Sequence, residues 1–124
     1  MIVDAKASRA YLEARAAQER QAAEERRQAA LAALAVGARA VFARFPQVRR
    51  AYLFGSALDA GAFLATSDLD IAVEAVLDAE GFFALWHDLE AAVPGWEIDL
   101  IELDRHDVHF ADRVRETGEL IYEA

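Results

Sequence analysis

An α+β fold built on a mixed sheet is predicted by three features of this sequence. Short apolar runs at 50–54, 69–74, 97–103 and 119–122 have strand length and composition. Helical patterns separate most of them, which gives the order α-β-β-α-β-α-β. A long Ala-, Glu-, Gln- and Arg-rich stretch without proline precedes them all. The expected architecture is a mixed sheet with helices packed on one side and a long N-terminal helix.

The elements follow from the chain in order. Residues 4–45 read as one continuous helix, with Gly37 its weak point and Pro46 its stop. Its second part carries the apolar stripe Leu31, Leu34, Val41, Phe42 and Phe45, suited to packing on a sheet. Its first part has only Ile2, Val3, Tyr11 and Leu12 as bulky apolar residues, and carries the i,i+4 pairs Arg9/Glu13, Arg15/Glu19 and Arg20/Glu24. The expected division is an N-terminal helical extension over 1–29 and a domain over 30–124. Asp78 caps a helix from Ala79 to Val93, which Pro94-Gly95 ends. Phe82, Phe83, Leu85, Trp86, Leu89 and Val93 recur along it at helical spacing and read as core. A last helix runs from Asp107 to Thr117, with Gly118 at its end.

One stretch carries chemistry. Gly55-Ser56 closes the apolar run Ala51-Tyr52-Leu53-Phe54, and eleven residues then intervene before Asp68-Leu69-Asp70. Alternation along a strand puts Asp68 and Asp70 on one side and turns Leu69 and Ile71 to the core. Asp99 lies between Ile98 and Leu100 in the next apolar run and joins that pair if its strand is adjacent. Clustered carboxylates repel one another unless a cation neutralises them. Hard oxygen ligands select Mg²⁺ or Mn²⁺, held by few carboxylates together with substrate phosphates. Gly55 lets backbone approach a phosphate, and Ser56 offers N–H and O–H donors. Gly-Ser alone is a common turn and Asp-x-Asp alone a common wet strand edge. Their order, spacing and apolar flanks make a nucleoside triphosphate site of the combination.

On Gly55, Ser56, Asp68, Asp70 and Asp99 the chain resembles the minimal nucleotidyltransferase (MNT) family, the smallest branch of the DNA polymerase β-like nucleotidyltransferase superfamily. The resemblance covers roughly residues 30–123. It implies the polymerase β-like fold, ATP as substrate, and a metal held by Asp68, Asp70 and Asp99, with Gly55 and Ser56 on the triphosphate. Many MNT proteins are antitoxins paired with HEPN ribonuclease toxins, and members transfer AMP from ATP to a toxin tyrosine. The family loop often has an Arg just before a Gly. This chain has Asp59-Ala60-Gly61 instead and no Lys or Arg from Ala51 to Asp104. Charge compensation must then come from metal, backbone N–H groups or a residue outside that span.

Composition narrows the partners. Acidic residues outnumber basic ones 22 to 13, for a net charge of −9, which argues against a nucleic-acid surface. A basic protein partner suits that acidity better. The chain has no cysteine and no long apolar run, so no disulfide, thiolate site or membrane span is expected, and it reads as cytoplasmic. His87, His106 and His109 match no ligand spacing. Trp96, beside the Asp99 strand, reads as core rather than as a platform for adenine. Glu97 and Glu102 read as solvent-side alternates of the third strand, and Glu74 as a strand-end surface charge.

Within 124 residues there is no second domain to enclose a small acceptor, so the expected acceptor is a protein surface. The expected function is transfer of AMP from ATP to a partner's hydroxyl, a tyrosine by the family resemblance, as antitoxin of a HEPN toxin. Self-association through the N-terminal helix, with Tyr11 and Leu12 as anchors, is a second expectation. The alternative function is a non-catalytic MNT-fold module that neutralises a toxin by contact.

Overall fold

The computed structural model describes residues 4–59, 63 and 67–124. The expectations placed on Ile2, Val3, Ala60 and Gly61 fall outside them. Helix α1 spans Ala5–Ala43, followed by strand β1 (Arg50–Phe54), a one-turn 3-10 segment (Gly55–Leu58), and strand β2 (Leu69–Glu74). Helix α2 (Ala79–Ala92), strand β3 (Ile98–Glu102), helix α3 (Val108–Thr117) and strand β4 (Glu119–Glu123) complete the chain, with a short 3-10 turn at Leu103–Arg105. The predicted element order holds throughout.

The caps explain where the helices begin. Asp4 accepts from the Lys6 N–H at 2.9 Å, Asp78 from the Gly81 N–H at 2.7 Å, and Asp107 from the Phe110 N–H at 2.9 Å. Gly37 does not break α1, because the helix needs a glycine there. A Cβ at Gly37 would lie 2.5 Å from the Ala92 carbonyl oxygen, so the missing side chain lets α1 cross α2 closely.

The sheet is mixed, with strand order β3-β2-β1-β4. β1 runs antiparallel to both β2 and β4, while β2 and β3 are parallel. The β2–α2–β3 unit supplies the crossover that a parallel pair requires. One face carries Ala51, Leu53, Leu69, Ile71, Val73, Ile98 and Leu100, and packs with α1 and α2 around the buried Phe42, Leu85 and Leu89. Trp86 pins α2 to β3 by donating its indole N–H to the Ile98 carbonyl at 2.8 Å.

The expectation of helices on one side describes α1 and α2. Helix α3 lies on the opposite face, where Ala111 and Val114 cover Tyr52 and Ala72. Its apolar stripe is short, and Tyr52 and Ala72 alternate with the residues facing α1, so strand parity sends them to a second, smaller core. Within α2, Leu85, Leu89 and Val93 are buried as expected, but Phe83 is 59% exposed and lies outside the core. Its ring stacks on Trp86 at 6.1 Å instead.

Candidate functional site

Register decides the geometry of the acidic residues. Asp70 is the Cα partner of Asp99 across the parallel β2–β3 pair, so the two carboxylates share a sheet face. Phe54 is the partner of Asp70 across β1–β2, and the chain turns at Gly55 directly afterwards. Gly55 has φ of +75°, and a Cβ there would collide with the Asp70 carboxylate. Glycine at 55 therefore serves both the backbone turn and the close approach of turn and acid. Ser56 is half-buried inside this turn, and its carbonyl accepts from the Asp59 N–H at 3.0 Å.

Asp68 lies just before β2, exposed, and lines a cleft of about 310 Å³ with Asp99, Glu90, Glu97, Trp86 and Ile98. The structure thus brings Gly55, Asp70 and Asp99 together, with Ser56 one residue along the turn and Asp68 on the neighbouring cleft wall. Burial pushes the Asp70 carboxyl above the ordinary aspartate range, and the charges of Asp99 and Asp68 push it further. That stored repulsion is what a cation or a proton would relieve.

The donor set bears on which ion fits. Among the described residues no three acidic or histidine side chains are gathered tightly enough to hold one ion by themselves. Paired aspartates supply hard oxygens for only part of a coordination shell. This suits Mg²⁺, which demands oxygen ligands and commonly takes one or two carboxylates plus substrate phosphates rather than a protein cage.

The sequence pattern of the family described as Polymerase beta, Nucleotidyltransferase matches residues 38–124. The chain belongs to that nucleotidyltransferase family. Similar solved structures come from toxin–antitoxin complexes. One, a toxin–antitoxin with AMP-PNP, is 25% identical over 79% of this chain and 73% of its own, with a TM-score of 0.54. A mutant of the MntA–HpeT toxin–antitoxin is 27% identical over 68% of this chain and 66% of its own, with a TM-score of 0.50. A Shewanella oneidensis HEPN toxin, tri-AMPylated and in complex with MNT antitoxin, gives 27% identity over 67% and 63%, with a TM-score of 0.49. This nucleotidyltransferase chain spans 64% of the length of the MntA–HepT chain it matches. No curated protein sequence matches it.

Two groups of contacts near the site had no signal in the sequence. Arg27 of α1 donates Nη1 to the Ala57 carbonyl of the Gly55–Leu58 turn at 2.8 Å. Its fork is held by Glu24, through Nε at 2.8 Å and Nη2 at 2.9 Å. Neighbouring Arg26 lies over the Trp96 ring, 5.5 Å from its centroid, so Trp96 packs on α1 as well as on the core.

Glu74, expected at the surface, is 5% exposed. It accepts from Arg115 at 2.6 Å, from the Tyr52 hydroxyl at 3.3 Å and from Arg50 at 3.4 Å. Burial works to raise its pKa, but the Arg115 hydrogen bond and charge, with Tyr52 and Arg50, outweigh it and hold the carboxyl below the ordinary glutamate range. Glu102 also corrects its expectation: it shares the parity of Ile98 and Leu100, is 6% exposed, and accepts from the Leu77 N–H at 3.2 Å and from Arg105 at 3.1 Å. Glu97 is exposed as expected. Of the pairs predicted on α1, Arg15–Glu19 forms at 3.2 Å, while Glu24 turns to Arg27 rather than to Arg20. No described helix is long and apolar enough to cross a membrane.

Proposed function

We propose that this chain is an MNT-type nucleotidyltransferase that moves AMP from ATP to a hydroxyl, of tyrosine type, on a HEPN-class toxin, and so acts as its antitoxin. The observation that carries the reading is the Asp70–Asp99 register pair set against the Gly55 turn in a family whose chemistry is nucleotidyl transfer. The likeness to a toxin–antitoxin with AMP-PNP supports ATP as the substrate and a toxin as the partner.

In this reading Ser56 and the turn's N–H groups hold the triphosphate. Asp68, Asp70 and Asp99, completed by the substrate phosphates, would hold Mg²⁺ or Mn²⁺, and the ion would supply positive charge against the phosphates. The acceptor oxygen bonds to the α-phosphorus, the bond from that phosphorus to the bridging oxygen breaks, and pyrophosphate leaves. Asp99, exposed on the edge strand β3, takes the acceptor's proton. Asp99→Asn should lower the rate at least about 10²-fold, as loss of other electrostatic catalytic groups does, with a smaller effect on ATP binding. Near-normal turnover in that variant, with labelled ATP and the cognate toxin, would assign Asp99 to structure.

A second reading is a contact antitoxin without catalysis. The absence of any Lys or Arg from Ala51 to Asp104 favours it, because triphosphate sites commonly recruit such residues. Toxin neutralisation that survives Asp68→Asn with Asp70→Asn, without AMP transfer in the wild type, would select it.

A further inference from the structure

The charge that the Gly-Ser turn lacks in its own segment reaches it from α1. We propose that Arg27 is a positioning residue for the triphosphate-binding turn, so that the working nucleotide site begins upstream of the family core at Glu24. The inference rests on the nucleotidyl-transfer reading above for its ligand, and on contacts within this chain for its geometry.

Arg27 is built into place. Its side chain is 15% exposed, although it stands on a helix whose surroundings are largely solvent. Glu24 grips two of its three nitrogens, and Gln28 holds Glu24 in turn, donating at 2.9 Å. The Arg27 hydrogen bond, followed by that of Gln28, brings the half-buried Glu24 carboxyl down to about 2. The remaining nitrogen, Nη1, donates to the Ala57 carbonyl. A planar guanidinium fixed on one edge by a carboxylate is a rigid donor rather than a floppy surface charge.

That donor acts on the turn in two ways. The peptide unit is planar, so holding the Ala57 oxygen fixes the orientation of its whole plane within a turn of only four residues. A charged donor on the carbonyl also polarises the hydrogen-bonded peptides of the turn, which strengthens their N–H groups toward an anion. Gly55, on the other side, is pressed on the Asp70 carboxylate. The turn is therefore fixed between an acid from β2 and a cation from α1.

The experiment uses the full chain without its partner. Binding of AMP-PNP with Mg²⁺ is measured by calorimetry, and exchange of the backbone amides of residues 56–59 by NMR. Arg27→Met keeps the aliphatic stem and removes the donors. It should weaken AMP-PNP binding about tenfold, the size of one charge-assisted hydrogen bond, and speed exchange in the turn. Arg27→Lys, which keeps one charged donor, should recover part of both. Should Arg27→Met not fold, Glu24→Gln loosens the same guanidinium without removing it and should shift both readouts in the same direction. A folded Arg27→Met with wild-type affinity and wild-type exchange overturns the proposal. Should the wild type itself fail to bind AMP-PNP, the nucleotide reading fails, and turn exchange alone decides whether Arg27 positions the turn.

Discussion

Arg115 reaches from α3 across the sheet face to donate to Glu74 at 2.6 Å, and so ties the last helix to the strand that carries Asp70. The Arg115 side chain is 40% exposed and that of Glu74 is buried, so the pair is strongly asymmetric: most of the desolvation falls on the acid.

Removing the cation should therefore hurt more than removing the acid. Arg115→Ala leaves a buried carboxylate with only Tyr52 and the partly exposed Arg50, and should destabilise the fold, by less than the roughly 3–5 kcal/mol of a fully buried broken pair. Glu74's lowered pKa sets the sign with pH: its stabilisation is present above the ordinary glutamate range and is lost as pH falls through the folded value. Urea melts from neutral to acidic pH should be steeper in pH for the wild type than for Glu74→Gln.

Asp70 has the opposite sign. Its raised pKa means that the folded chain prefers the carboxyl protonated, so its contribution is favourable at low pH and lost as pH rises through the folded value. Asp70→Asn should raise the melting temperature of the apo protein at neutral pH. Combined with Asp68→Asn, it should abolish the added stability that Mg²⁺ with ATP gives the wild type by linkage. Equal thermal shifts in both proteins would remove these aspartates from the nucleotide site.

Gly37 offers a test of packing against propensity. In an exposed helix Gly→Ala gains about 1 kcal/mol. Here the new Cβ would meet the Ala92 carbonyl at 2.5 Å, and that atom belongs to backbone. Gly37→Ala should therefore lower stability in a urea titration; a gain would mean that α1 and α2 separate easily.

The proposed extension can be separated from the domain in steps. Deleting residues 1–20 removes Tyr11 and Leu12, 65% and 60% exposed, and spares Glu24, Arg26 and Arg27. We expect a folded chain with nucleotide binding intact and weaker association with its partner or itself. Deleting 1–29 also removes the Arg27 tether and the Arg26–Trp96 contact, and should reduce nucleotide binding as well. Identical behaviour of the two truncations in calorimetry and gel filtration would show that nothing between 21 and 29 serves the site.

What the sequence revealed follows from the range of each interaction. Strand parity placed Leu69 and Ile71 inward, and the cap at Asp78 was visible because a cap joins neighbours in the chain; Asp107, read as the first residue of its helix, is the cap before it. Adjacency of the Asp99 strand stood as a condition in the sequence, and the parallel β2–β3 register meets it. Glu74 and Arg115 are 41 residues apart, and Arg27 and Ala57 are 30 apart. Nothing local distinguishes such charges from solvated ones, so a buried hub read as a surface acid. Glu102 was different: its even parity with Ile98 and Leu100 was available, and its charge argued misleadingly for solvent.

Helix α1 is unbroken over 39 residues, which makes it a ruler. Tyr11 precedes Arg27 by 16 positions, about 24 Å along the axis at 1.5 Å per residue. A partner seated on Tyr11 would thus be held at a set reach from the Gly55–Leu58 turn. Acceptor hydroxyls would be selected by their distance from that footing as well as by the sequence around them, and inserting or removing a helical turn between Tyr11 and Glu24 would change which of them is reached.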